Sequence, residues 1–409
     1  MATEGYSDIS IRMSTTFMKV IGLWMAGDTI EDRRRKIALR YTICMMVFAT
    51  FFMVRDLYYS WGDLGDLLYA CCNILCLLMG LIKLSVILSH RGEFVELILY
   101  MQEHFWNVRY NYREKEILAD SRKICIIFTF FVTFTDHGAV AGYLLTPIVA
   151  NIGRNESDRI LPFNMWLNLP LSISPYYEVV FFIQMLPLYQ VAVCYFCFDN
   201  ILCILSVHVS GQFRILQYRL AKLCAQQEEM KDQNANTDIA YYASKSYAKL
   251  RDCIRQHQEL IKYCARLENV FTLIVLAQVL IFSIIICLFG YQIFMANSSF
   301  TRRCIFVFTT PGSLFLLLMF TYSCNGIIEQ SDNIGMAAYS ASWTFMPMNK
   351  FGRMFRSDLM VIILRSRKVC CLTANGFFPV SLETYTKILS TAMSYYTLLR
   401  QNVGNATDS

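Results

Sequence analysis

Six apolar runs, at about residues 37–54, 67–88, 124–149, 178–206, 268–293 and 304–326, set the terms for how this chain can fold. Each approaches or exceeds the roughly 20 residues that a helix needs to cross the hydrocarbon layer of a bilayer. With 56% of residues hydrophobic and only 17% charged, a water-soluble reading is untenable. The expected fold class is an all-α polytopic membrane protein. A seventh stretch, about 380–399, is apolar but carries Glu383, Lys387 and many hydroxyls, so hydropathy alone does not decide whether it crosses.

The connections between the runs alternate in charge. Arg33, Arg34, Arg35 and Lys36 precede the first run, and Arg91, Arg109, Arg113, Lys115, Arg122 and Lys123 join the second to the third. Ten Lys and Arg residues lie between Arg214 and Arg266, and six more lie between Lys350 and Lys368. The other connections hold only Arg55, then Arg154 and Arg159, then Arg302 and Arg303. The positive-inside rule places the basic set in the cytoplasm; the long fourth connection weighs little, but the short ones agree without it.

Three N-glycosylation sequons, at Asn155, Asn297 and Asn405, then all fall outside. A lone sequon is a common chance match, so the inference rests on their agreement. Asn405 can be external only if residues 380–399 cross. That gives seven transmembrane helices with the N-terminus cytoplasmic and the C-terminus extracellular, the reverse of a G-protein-coupled receptor.

The resulting division is a cytoplasmic N-terminal segment 1–36, helices one to four over 37–206 and a cytoplasmic helical extension 207–267. Helices five and six over 268–326, a cytoplasmic connection 327–378, helix seven over 379–401 and an extracellular tail 402–409 follow. Residues 1–19 lack the apolar core of a cleavable signal, and Val20–Met25 is too short to span, which suggests an interfacial position. The external connections carry almost no cysteine, so the sixteen cysteines predict packing residues and cytoplasmic thiols rather than a disulfide framework. Phe213, Leu216, Leu220 and Leu223, and again Leu250, Ile254, His257, Ile261 and Cys264, recur at helical spacing, so helices four and five should extend past the membrane around a loop at 226–237. No internal repeat supports a transporter built on inverted repeats.

Helix seven is too polar to face lipid on every side. Lys387, Thr391, Ser394, Tyr395, Leu398 and Gln401 follow spacings of three and four and share one stripe. Hydroxyls and amides interrupted by a large apolar residue suit a water-filled path with a hydrophobic constriction. They suit equally a face buried against neighbouring helices through hydroxyl hydrogen bonds.

The run from Glu329 to Gln401 resembles the C-terminal region of the insect odorant receptors. The resemblance is carried in order by Glu329-Gln330-Ser331 with Ala338, Tyr339 and Trp343, by Leu359–Lys368, by Asn375–Leu389 and by Ser394–Gln401. Leu250–Phe271 is similar to the entry of the fifth helix in the same family. The resemblance implies an odorant-gated, non-selective cation channel of four subunits around one pore lined by helix seven. It implies a multi-pass plasma-membrane protein of olfactory sensory neuron dendrites that assembles with an olfactory co-receptor. Without that subunit's enlarged fourth-to-fifth loop, this chain looks like the ligand-tuning partner. Thr391, Ser394, Tyr395, Leu398 and Gln401 would then line the pore, with Leu398 the gate. No enzymatic activity, cofactor, metal or nucleic-acid partner is implied.

A small volatile odorant would bind in the outer halves of helices two, three, four and six, in an apolar pocket with one or two polar groups. The direction of each helix nominates Leu68, Tyr69, Cys72 and Asn73, then His137, Ala141 and Tyr143. It adds Tyr177, Val180, Phe181 and Gln184 from helix four and Phe306, Thr309 and Thr310 from helix six. Asp136 reads as a protonated or paired core residue, Lys83 as snorkelling towards the inner boundary, and Asp199 with Asn200 as bracing helix four. A gustatory-type receptor channel and a membrane transporter are the alternatives; the ending Ser394–Gln401 argues against the former and the missing repeat against the latter.

Overall fold

The structure, a computed structural model, describes residues 8–163, 172–224, 236–294 and 300–407. Asn297 and residues 226–235 of the expected loop lie outside the described residues. The described chain is helical throughout, with one isolated β-bridge between Thr373 and Pro379.

The first helix, α1 (Ile9–Ile21), starts at Asp8, whose carboxylate accepts from the Ser10 amide, and stops at Gly22 in the left-handed region. Gly22 is required twice over, because a Cβ there would also collide with the backbone of Arg35 and Leu39 in α2 (Thr29–Tyr59). The tight stop folds α1 back on the bundle and buries Met18, Ile21 and Leu23, while Val20 stays exposed.

Helices α3 (Leu64–Ser89), α5 (Tyr112–Ala150) and α6 (Tyr176–Ala221) follow, with α4 (Arg91–Met101) leading into a π-helical turn before α5. Asp63 caps α3 through the amides of Gly65 and Asp66, and Asn111 with Glu114 forms a capping box on α5. The long α7 (Asn236–Phe294) and α8 (Phe300–Tyr339) come next, then α9 (Lys350–Ser366) and α10 (Leu382–Thr407). Both α6 and α7 continue as helix well beyond their apolar stretches, as the leucine spacing predicts.

Six of these helices, α2, α3, α5, α6, α7 and α8, are long and apolar enough to cross a membrane. They divide by role. The apolar windows of α2 and α5 are only 17% buried each, whereas that of α7 is 56% buried. Val47, Phe51 and Val54 on α2 and Ile127, Phe130 and Phe134 on α5 are exposed, which in lipid is the favourable state for an apolar side chain. The α6–α8 pair forms the centre, with α3, α5 and α7 around it.

Because lipid tails compete with helices for apolar surface, polar contacts help to specify the packing. Gln190 on α6 donates to Thr42 on α2 at 2.6 Å, and Thr42 in turn donates to the Ile21 carbonyl at 3.1 Å. The strongest of these joints is ionic: Lys83 Nζ on α3 meets Asp199 Oδ2 on α6 at 2.6 Å and donates to the Tyr195 carbonyl at 2.7 Å. Lys83 does not snorkel. Its side chain is wholly buried because α6 offers a carboxylate and a carbonyl at the same depth, closer than the bundle's rim.

Candidate functional site

Beyond the ion pair, towards the end of the bundle that carries the α5–α6 connection, the helices part around a cavity of about 100 Å³. Asn73 and Cys76 of α3, Asp136, Val140 and Tyr143 of α5, and Leu188, Val191 and Tyr195 of α6 line it. Phe289 of α7 and Thr309, Gly312 and Ser313 of α8 complete the wall. The lining is apolar and aromatic with a few convergent polar groups, the composition that small-molecule sites favour.

Phe163, from the α5–α6 connection, closes the cavity. It also borders a void of about 30 Å³ between α2, α3 and α6, and an open recess of about 290 Å³ that reaches the surface past Tyr69, Thr146 and Arg154. Two side-chain amides hold this connection as a strand partner would. Gln184 on α6 donates to the Phe163 carbonyl at 2.9 Å and accepts from its amide at 3.1 Å. Asn151 accepts from the Ile160 amide at 2.8 Å and donates to its carbonyl at 3.0 Å. The Phe163 ring therefore stacks on Tyr143, with centroids 5.8 Å apart and planes 22° from parallel. Tyr143 in turn donates to Asn73 Oδ1 at 2.7 Å, which leaves Asn73 Nδ2 buried without a hydrogen-bond partner.

Of the residues expected around a ligand, Asn73, Tyr143 and Thr309 face the main cavity; Gln184 borders the small void, and Tyr69 the open recess. Tyr177 stands near the recess, where Asn151 donates to its hydroxyl at 2.9 Å, and its ring lies 6.0 Å from Phe181. Leu68, Cys72 and Phe306 pack into the helix core, Phe306 edge-on to Tyr69 and against Phe289. Thr310 spends its hydroxyl on the Phe306 carbonyl at 2.7 Å, and Val180 is half-buried on α6 outside the lining.

Two nominations on α5 point elsewhere. His137 packs among Phe17, Tyr189 and Phe196, with Nδ1 2.7 Å from the Thr133 carbonyl, and Ala141 is exposed. The cause is helical phase: Asp136, Val140 and Tyr143 repeat at four and three residues, and the positions that follow the first two rotate by about 100° away from the side that Thr135 and Ala139 share with them. Applied to helix three, the same stripe reasoning finds Asp136 and Val140 from Tyr143. Of the two readings of Asp136, pairing is not seen among the described residues, and its side chain lines the cavity. Nothing periodic marks Phe163.

The second feature is α10. Its Thr384, Ile388 and Ala392 are buried, and Tyr396 lies against Gly290 and Phe294 of α7. On the opposite side Thr391, Ser394, Tyr395, Leu398 and Gln401 are exposed, as are Glu383 and Lys387, which pair at 2.7 Å. Thr391 and Ser394 donate to the Lys387 and Ser390 carbonyls one turn back, so the helix satisfies its own hydroxyls. This stripe meets no other helix of the described chain. Asn155 is exposed in the α5–α6 connection, and the Asn405 backbone belongs to the last turn of α10.

Comparison with known proteins gives one consistent result. The chain is 23% identical to Odorant receptor 13a of Drosophila melanogaster, over 97% of this chain and 96% of that protein. It is 23% identical to Odorant receptor Or2 of Anopheles gambiae, over 86% and 88% respectively. The fold is similar to that of the insect olfactory receptor OR5 from Machilis hrabei, solved in complex with eugenol, at a TM-score of 0.80 and 14% identity over 96% of this chain and 97% of that one. The model of the 7tm Odorant receptor family matches residues 63–393, and this chain is therefore a member of the odorant receptor family.

Proposed function

We propose that the chain is the ligand-tuning subunit of an odorant-gated, non-selective cation channel, and that four subunits, co-receptor copies among them, surround one pore. In this reading seven helices cross the plasma membrane, the N-terminus is cytoplasmic, and the 100 Å³ cavity opens towards the outside through the recess beside Phe163. The location would be the dendritic membrane of olfactory sensory neurons.

One observation carries the pore reading: α10 is buried on one side and presents a polar stripe on the other that finds no partner among the described residues. A polar face on a crossing helix must meet water or a polar partner, and a central path shared by four subunits supplies the water. Leu398, exposed within that stripe, would be the constriction.

Gating would be a population shift. A ligand in the cavity opens the channel only to the extent that it binds the open arrangement more tightly. The route available is short, since Phe289 lines the cavity and the next residue, Gly290, meets Tyr396 of α10. The test is electrical. Cells expressing the chain with and without a co-receptor are challenged with a panel of volatiles, and Leu398→Ala is compared with wild type. Ligand-evoked currents that need both subunits, and a raised basal current in Leu398→Ala, are expected. Unchanged basal conductance, ligand sensitivity and permeation in the variant would remove Leu398 as the gate.

A further inference from the structure

We infer that the cavity recognises a small volatile amine, whose ammonium group pairs with the Asp136 carboxylate. The inference rests on the reading of this cavity as the ligand site and specifies the ligand's chemical class.

Asp136 lines the cavity, and two further titratable side chains, Lys83 and Asp199, lie within electrostatic reach of it. Lys83 is committed to Asp199 at 2.6 Å, with the Tyr195 carbonyl as its second acceptor. The cluster therefore holds two carboxyls and one ammonium. Asp136 is the one left over: no hydrogen bond or ion pair engages it among the described residues, and it faces the cavity rather than a helix. A half-buried carboxyl that faces an apolar cavity without a partner is costly as a carboxylate, and the missing element is a cation.

The space beside it suits a small cation with an apolar body. About 100 Å³ is less than the 150 Å³ cavity that accommodates benzene, so the occupant is a short-chain molecule rather than a bulky one. Thr135 and Thr309 border the same space and use their hydroxyl protons on backbone carbonyls, of Phe131 and Val132 for the first and of Phe306 for the second. What they offer a ligand is lone pairs. An ammonium has three donors and no acceptor, the complement of a carboxylate flanked by two such hydroxyls. The resulting pair is neutral overall, whether an ammonium meets a carboxylate or a free amine meets a carboxylic acid and takes up its proton. Either way the apolar walls contain no net added charge.

The probes are n-butylamine, 1-butanol and pentane, which share an apolar body and differ in the head. Binding is read as the shift in thermal unfolding of the purified chain, and activation as current in cells that also express the co-receptor. Butylamine should be at least about tenfold more potent than butanol on wild type, the scale of a charge-assisted over a neutral hydrogen bond, with pentane weakest. Asp136→Asn, which keeps volume and polarity but not charge, should remove the amine's advantage over butanol. Equal potency of amine and alcohol on wild type overturns the inference without any variant being needed, as does an amine preference that survives Asp136→Asn. A receptor driven by neutral volatiles alone sinks the amine while leaving the odorant-channel reading intact; amine binding without any current does the reverse.

Discussion

At the level of single residues, the structure separates polar groups that hold the bundle from those that face the cavity. Lys83 and Asp199 belong to the first kind, since both side chains are inaccessible and each completes the other. Removing one partner strands a buried charge. Lys83→Met or Asp199→Leu alone is expected to destabilise the chain by about 3–5 kcal/mol, whereas the double variant should recover most of the loss, because a well-packed apolar pair often replaces a buried ion pair without penalty. Thermal unfolding of the purified variants checks this, and a double variant no better than the singles would show that the two groups act separately. Gln184, beside the small void, instead fixes the connection that carries Phe163. Its amide makes both hydrogen bonds to the Phe163 backbone, so Gln184→Leu leaves a buried amide and carbonyl unpaired at a cost of about 1–3 kcal/mol to the closed position of that ring. Faster decay of the ligand-evoked current on washout is expected; unchanged kinetics would mean that Phe163 does not control escape. From sequence Asp199 reads as a brace of helix four and Gln184 as a ligand contact; their partners are not legible there. Asp199 was visible as an intramembrane acid, but its partner lies 116 positions away, and Phe163 sits in a connection where no periodicity singles out one aromatic from another.

The same limit appears among the elements, where the positions of helices were legible and their mutual docking was not. Six apolar runs and the leucine spacing of α6 and α7 follow from burial period alone, and the structure contains those helices. What sets α10 against its neighbours is a local device. Asn375 and Gly376, both at positive φ, turn the chain so that the Ala374 amide meets the Phe378 carbonyl and the Val380 amide meets the Leu372 carbonyl. The hairpin docks on α7 through Thr373, which donates to Glu268 at 2.6 Å, and through Thr272, which donates to the Thr373 carbonyl at 3.0 Å. The Asn-Gly signal is open in the sequence; its landing place on α7 depends on three-dimensional packing. From there α10 runs along α7 to the Tyr396–Gly290 contact. A Cβ at Gly290 would meet Tyr396 at 3.5 Å, an ordinary contact, but a longer side chain must push the ring aside. Gly290→Leu should therefore change basal or maximal current while leaving the rank order of ligands intact. Altered rank order with normal gating would place Gly290 in recognition instead of transmission.

For the whole molecule, the orientation of α10 ties the topology to the pore. The helix has 26 residues, so at 1.5 Å per residue it measures roughly 39 Å, more than the roughly 30 Å of hydrocarbon it would have to cross. Its hydropathy does not mark it as a span, because the stripe from Thr391 to Gln401 lowers the mean. A pore-facing stripe would have this effect, and it is why composition alone leaves the segment open while the sequons speak for a crossing. If α10 crosses with Leu382 at the cytoplasmic side, the Asn405 end emerges outside, on the same side as exposed Asn155. An epitope tag placed after residue 409 should then be stained by antibody on intact cells, and one placed before residue 1 only after permeabilisation. Asn155→Gln should remove one glycan's mass from the mature chain on a gel. A C-terminal tag reached only after permeabilisation would mean that α10 does not cross in this sense, and Leu398 could not stand in a transmembrane pore. The cavity between α3, α5, α6 and α8 would survive that result, since its walls are set by helices whose crossing does not depend on α10.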